Sequence, residues 1–413
     1  MATDRVIDRA TVTLADIERA RKTLGDVIRV TLMESSHSLS DLVGVPVYLK
    51  CENLQRAGSF KLRGAYTRIF GLDADERARG VVAASAGNHA QGVALAASLL
   101  DTASTVFMPS GAAIPKERAT RAYGADVRLG GADLGVALEH AQAFAAETGA
   151  VLIHPFDHPD IVAGQGTIGL EILEQVPDVA TIVVAMGGGG LVAGIATAVR
   201  AHRPDIRIVG VQAEQVAAWP ESLGVGHPVS VDCLPTMADG IAVRQPGDIP
   251  YELVAEHLDT VVTVSEEHLS QAMLLCLERA KMVVEPAGVA AVAALLQHPR
   301  EVVGPGGPVV AVLGGGNIDP LVLMQVIRHG LAASARYLAV RVRIPDRPGG
   351  LARVLDELAQ LRVNVLEVIH DRTSADLHVN EVDIALRAET RGDEHRDSVI
   401  EALRRLDYPV VIE

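Results

Sequence analysis

Residues 181–200 read TIVVAMGGGGLVAGIATAVR. A β-rich run, Thr181–Met186, gives way to Gly187-Gly188-Gly189-Gly190 and then to an alanine-rich apolar stretch, Leu191–Ala201. No charged residue lies between Val179 and Val199, so a membrane span has to be weighed. Four consecutive glycines would break a spanning helix. The stretch therefore reads as a buried strand, a glycine loop and a buried helix. Successive glycines let backbone amides wrap a phosphate, and the helix N-terminus adds positive potential. A plain tight turn is the simpler alternative. The spacing is not a clear GxGxxG dinucleotide fingerprint, and no Gly-Lys-Ser/Thr follows to make a Walker loop.

Outward from this point the same alternation repeats up to about residue 330. Strands are expected at Val47–Lys50, Val81–Ser85, Thr105–Pro109, Asp126–Leu129, Val151–His154, Ile206–Gln212, Thr260–Val264 and Val309–Leu313. Helical segments such as His89–Leu100, Leu134–Thr148 and Glu266–Arg279 lie between them. Alternation of this kind predicts an α/β fold, with parallel sheet covered by helices on both faces. Ligands in such folds sit at the carboxyl ends of the strands. After Gly330 the pattern changes. Tyr337–Ile344 alternates like a half-buried strand, and Leu351, Val354, Leu355, Leu358 and Leu361 recur at helical spacing. Strand-like Asn364–Ile369 and Val379–Leu386, a helix carrying Val399, Ile400, Leu403 and Leu406, and a last strand at Pro409–Ile412 complete a β-α-β-β-α-β order, the ferredoxin-like plan. A domain boundary is expected near His329–Arg336.

Composition narrows the function classes. The chain has 413 residues, 49% hydrophobic and 22% charged, which is globular and rules out disorder over most of it. A net charge of −15 argues against broad nucleic-acid or anionic-membrane binding, and 3% aromatics leave few stacking platforms. Cys51, Cys233 and Cys276 form no CxxC pair and suit a reducing cytosol. The N-terminus carries charges throughout and has no signal-peptide core, so a cytoplasmic location is expected.

Three more motifs carry chemistry. In Gly58-Ser59-Phe60-Lys61-Leu62-Arg63-Gly64 a lysine follows an aromatic between glycine turns. It is either one surface lysine in a turn or a partly desolvated amine poised to form a Schiff base. Ser85-Ala86-Gly87-Asn88-His89-Ala90-Gln91-Gly92 follows a strand and either caps a helix or presents amides and polar side chains to an anion. Leu313-Gly314-Gly315-Gly316-Asn317-Ile318-Asp319 follows another strand. One lysine turn and three glycine-rich tips could converge on one cleft.

As an ordered set, Ser59–Ala65, Ser85–Gly92, Gly187–Leu191, Asp239-Gly240-Ile241-Ala242-Val243 and Gly315–Asp319 resemble the pyridoxal-phosphate-dependent threonine dehydratases of the tryptophan-synthase-β-like, fold type II group. The resemblance runs from about Thr13 to Gly330. The tail resembles a single ACT regulatory domain, with Asp346-Arg347-Pro348-Gly349-Gly350-Leu351 at its first strand–helix turn. A structural or dimerising module is the alternative for the tail. The resemblance implies a catalytic domain over 1–330, with a small subdomain at about 55–160 inserted in the larger one, and an ACT domain over 336–413. It implies pyridoxal 5'-phosphate as cofactor, with Lys61 joined to it as a Schiff base. Phe60 would lie against the ring, and Asn88 would bind the phenolic oxygen. Gly187, Gly188, Gly189, Gly190 and Leu191 would hold the phosphate. Ser85, Asn88 and His89 would line the dock for the substrate carboxylate. Asp346, Pro348, Gly349, Gly350 and Leu351 would be the effector site. The position facing the pyridine nitrogen, Ser or Cys in the family, is Gly314 here and offers no side-chain contact.

The implied reaction is elimination of the β-hydroxyl of L-threonine or L-serine, giving a 2-oxo acid and ammonia. Serine racemization needs an acid–base group on the opposite ring face, where this chain has Ala86. The racemases' cation site is also missing, with Gln212 at its acidic position, so no metal is expected. A hydroxyaspartate dehydratase and a catalytically weak amino-acid sensor are rival readings. The partners implied are an amino-acid substrate, an amino-acid effector and further copies of the chain in a dimer or tetramer.

Overall fold

The computed structural model describes residues 12–372 and 377–412. Residues 1–11 and Glu413, at the outer limits of the two expected domains, lie outside the described residues. The chain divides into two compact units that part at Leu323/Met324. Strands of the first unit are β1 (Met33–Ser35), β2 (Val47–Cys51), β3 (Val81–Ala84), β4 (Ser104–Met108), β5 (Asp126–Leu129), β6 (Val151–Leu152), β7 (Thr181–Ala185), β8 (Arg207–Ala213), β9 (Thr260–Val264) and β10 (Val309–Leu313). They form two sheets, a six-stranded one ordered β1-β2-β10-β7-β8-β9 and a four-stranded one ordered β5-β4-β3-β6. All pairings are parallel except β1 with β2. The four-stranded sheet is inserted in the chain between β2 and β7. This is the two-subdomain fold type II architecture.

Chemistry explains the layout. β7 and β10 are buried at every residue, as strands covered on both faces must be. Helix Pro159–Gln175 lies against Gly190–His202 and Lys61–Phe70 through glycines that let backbones touch. A Cβ on Gly164 would sit 2.7 Å from the Arg63 carbonyl oxygen, and one on Gly169 would sit 3.0 Å from the Ala198 side chain. Among the described residues no helix is long and apolar enough to cross a membrane.

Beneath the Lys61 helix lies a fully buried ionic cluster. Arg63 donates to Glu52 through Nε and Nη2 at 2.9 and 2.8 Å, and to Glu171 through Nη1 at 2.6 Å. Lys50 Nζ donates to Glu171 at 2.5 Å and to Gln175 Oε1 at 2.8 Å. Two cations thus face two carboxylates in the interior.

The second unit has β11 (Tyr337–Pro345), β12 (Asn364–Asp371), β13 (Glu381–Glu389) and β14 (Val410–Ile412), with helices Gly350–Gln360 and Asp393–Arg405. Its antiparallel sheet is ordered β12-β13-β11-β14. The chain order is the expected β-α-β-β-α-β. β11 buries every second residue, because one sheet face packs on the helices through Val354, Leu358, Val399 and Leu403.

Candidate active site

A cavity of about 320 Å³ opens where β3, β7 and β10 end. Phe60, Lys61, the Ser85–His89 turn, Gly187–Leu191 and Gly314 all line it. The four motifs separated in sequence therefore face one space.

The segment before Lys61 is stitched to the turn after β10. Ser59 bridges Gly315, Phe60 N donates to the Gly314 carbonyl at 3.2 Å, and Gly316 N donates to the Gly58 carbonyl at 2.9 Å. Lys61 is the first residue of helix Lys61–Phe70. Gly92 clears the space beside it, since a Cβ there would lie 3.1 Å from the Lys61 carbonyl carbon. The Lys61 amine donates to the Pro155 carbonyl at 3.0 Å and lies 5.1 Å from the centre of the Phe60 ring. Burial pushes its pKa down to about 8, against the pull of Glu285. This is the desolvated amine, not a surface lysine.

The glycine loop is shaped by what lies behind it. Gly189 has φ +97°, and a Cβ there would strike Trp219 and come 2.8 Å from Pro250. A Cβ on Gly190 would come 2.9 Å from the Phe156 carbonyl oxygen. Trp219 Nε1 donates to the Gly187 carbonyl at 2.7 Å. Helix Gly190–His202 starts here, so its first amides have no partner within the helix and are available to an anion.

The second anion-facing tip is the start of helix Asn88–Leu99. Ser85 Oγ accepts from Gly87 N at 3.1 Å. His89 lines the cavity, but its ring is buried and bonds the Ile153 carbonyl at 2.8 Å. Burial, with the nearby Lys61 charge, pushes it down to about 3, so the ring is neutral. The folded protein therefore takes up this proton less readily than the unfolded chain, whose histidine titrates near 6.5. The stability it protects is complete above pH 6.5 and drains as the pH falls toward 3. His89→Gln should remove one proton's share of the acid slope of the melting temperature; an unchanged slope would refute a neutral buried ring.

Glu285 is the residue the motifs missed. It is buried, lines the cavity and accepts from Asn88 Nδ2. Burial, then Asp239, pushes its pKa up to about 7, opposed by Lys116, the Asn88 bond and Lys61. Its signal in the sequence is a single carboxylate within the apolar run Met282–Leu296. Lys116 and Asp239, also cavity-lining, are ion-paired at 3.0 Å. Gln165 lines the wall too, and its buried Oε1 has no hydrogen-bond partner among the described residues.

In the second unit, Asp346–Gly349 form an exposed turn and Gly349 has φ +88°. Asp346 is ion-paired with Arg372 at 3.0 Å, and Leu351 packs on the core beside the turn. Gly350 begins the following helix, and its N–H donates to the Arg347 carbonyl at 3.2 Å.

Residues 24–315 match the pyridoxal-phosphate dependent enzyme family. The chain belongs to that family. Residues 339–407 match the ACT domain, so this pyridoxal-phosphate-dependent enzyme carries an ACT domain at its C-terminal side. It is 44% identical over 401 residues to the L-threonine ammonia-lyase of Thermotoga maritima, covering 97% of this chain and 99% of that one. Among solved structures, the processed form of threonine deaminase isoform 2 from Solanum lycopersicum is 34% identical with a TM-score of 0.73, covering 80% of this chain and 98% of the other. Maize serine racemase has the same identity and TM-score, covering 76% of this chain and 98% of its own.

The cavity fits the family's cofactor. It offers a desolvated amine, a loop of unpaired amides for a phosphate, and an orphaned buried acceptor in Gln165. A Cβ at Gly314 would lie 3.5 Å from the Phe60 ring, an ordinary contact, so packing does not demand glycine there.

Proposed function

We propose that this lyase eliminates the β-hydroxyl of L-threonine, and of L-serine, so that each substrate yields its 2-oxo acid and ammonia with no net change in water. The observation that carries the reading is the half-buried Lys61 amine, its pKa pushed down to about 8, in a cleft shared with the glycine loop. When bound, pyridoxal phosphate supplies the electron sink that makes the substrate α-proton removable. Lys61 would carry the cofactor and later take the α-proton on Nζ. Phe60 would flank the ring, Asn88 would hold the phenolic oxygen, and Gly187–Leu191 would bind the phosphate through amides. Amides and hydroxyl at Ser85–Asn88 would orient the substrate carboxylate, with His89 bracing the turn from behind.

Two observations favour this over racemization and over a hydroxyaspartate substrate. Ala86, the position at which the resemblance puts a racemase's proton carrier, lines the cavity and cannot carry a proton. Asp239 and Glu285 line it as well, and Lys116 is already paired with Asp239, which disfavours the second carboxylate of hydroxyaspartate. The 1–330 portion would act as the catalytic domain, and the ACT domain over 336–413 would bind an amino-acid effector at Asp346–Leu351, in a homo-oligomer. Purified protein loaded with cofactor should release 2-oxobutanoate from threonine and pyruvate from serine, with hydroxyaspartate well behind. Removing 336–413 should abolish any response to added amino acids while leaving turnover. Amino-acid binding without a 2-oxo acid product would support a sensor instead.

A further inference from the structure

The Asn88 carboxamide is clamped at both ends. Its Nδ2 donates to Glu285 Oε1, and its Oδ1 accepts from Asn317 Nδ2 at 2.9 Å. Asn317 is itself anchored, donating to the Ala57 carbonyl at 2.7 Å. An amide with both ends engaged cannot flip, so its second Nδ2 proton has a fixed direction. Asn88 and Glu285 both line the cavity.

The clamp is rigid because its supports are backbone. Glu285 N donates to the Gly315 carbonyl at 3.0 Å, and the Glu285 carbonyl accepts from Gly288 N at 2.9 Å. A Cβ on Gly315 would collide with Glu285 Oε1 and come 2.8 Å from Asn88 Nδ2. A Cβ on Gly58 would collide with Asn317 Oδ1 and come 2.8 Å from its Cγ. Two glycines of the sequence motifs thus make room for this chain of side chains.

We propose that Glu285 is a positioning residue, which with Asn317 fixes the Asn88 amide so that its free proton is aimed at the phenolic oxygen of the bound cofactor. The inference rests on the proposed contact between Asn88 and that oxygen. It assigns Glu285 a role of reach: an oxygen at the right distance, whatever its charge.

Four holoenzyme variants test it by the position of the cofactor's visible absorption band and by kcat and KM. Asn88→Ala should shift the band. Glu285→Asp keeps the charge but withdraws the oxygen by one methylene; it should shift the band the same way and lower kcat by about 10- to 100-fold with little change in KM. Glu285→Gln keeps an acceptor in place and should leave the band close to wild type, with a smaller loss of kcat than Glu285→Asp. Asn88→Ala combined with Glu285→Asp should add no further shift. A band moved by Glu285→Gln but not by Glu285→Asp would show that charge matters and overturn the proposal. A band moved by neither would also overturn it, leaving Glu285 a packing role. An unmoved band in Asn88→Ala would sink both the proposal and the Asn88 contact, whereas the other two outcomes leave that contact standing.

Discussion

Lys61→Ala is expected to lower 2-oxo acid release by at least about 10³-fold, the scale of losing both a positioned base and a covalent anchor. It should also turn a tightly held cofactor into one that dialysis removes. The lysines lining the cavity are Lys61 and Lys116. Lys116 is tied to Asp239, whereas among the described residues Lys61 makes one hydrogen bond, to a backbone carbonyl, and has a partly desolvated amine with a pKa of about 8. Borohydride reduction followed by peptide mapping should therefore place the cofactor on residue 61, in wild type and in Lys116→Ala alike. A cofactor fixed on residue 116, or full turnover by Lys61→Ala, would overturn the assignment.

The second large effect concerns Arg63, two residues along the same helix. Arg63→Leu should destabilise the protein by about 3–5 kcal/mol, the usual consequence of removing one partner from a buried charge cluster. Arg63, Glu52 and Glu171 are all nearly or wholly shielded from solvent. Removing the guanidinium leaves two carboxylates facing Lys50 alone, away from bulk solvent. Arg63→Lys should not rescue, because an ammonium cannot reproduce the fork that serves Glu52 and Glu171 together. Urea unfolding measures both variants; a loss under about 1 kcal/mol for Arg63→Leu would mean the cluster is hydrated.

Much of this architecture is legible in the sequence. β9 and β10 fall on the expected residues, because apolar or β-branched runs bounded by turns have few other uses, and β5 falls there through its polar–apolar alternation. β1 gives no signal: its three residues are largely exposed and pair only at the sheet edge. The expected helix Glu266–Arg279 keeps α geometry to Leu275 and then widens into a π turn over Cys276–Ala280 ending on Lys281 at φ +59°, a change that periodicity does not encode. The last long strand begins at Glu381, later than Val379, which stands almost wholly exposed in the turn before it. Lys61, Asn88 and the glycine loop are readable because each sits in a local motif. Glu285 and the Arg63 cluster are not, because their partners come from distant segments and only the folded chain brings them together.

The stitching of the Lys61 segment to the turn after β10 has a consequence for biogenesis. Asn317 reaches Ala57 across 260 residues of chain, and β2 finds its parallel neighbour only in β10. As the polypeptide leaves the ribosome, the inserted four-stranded sheet can condense from contiguous sequence, while the Lys61 segment waits for partners made much later. If Lys61 carries the cofactor, as proposed, its surroundings are complete only once translation has passed the Gly315 turn, and a chain truncated before that turn is expected to bind none.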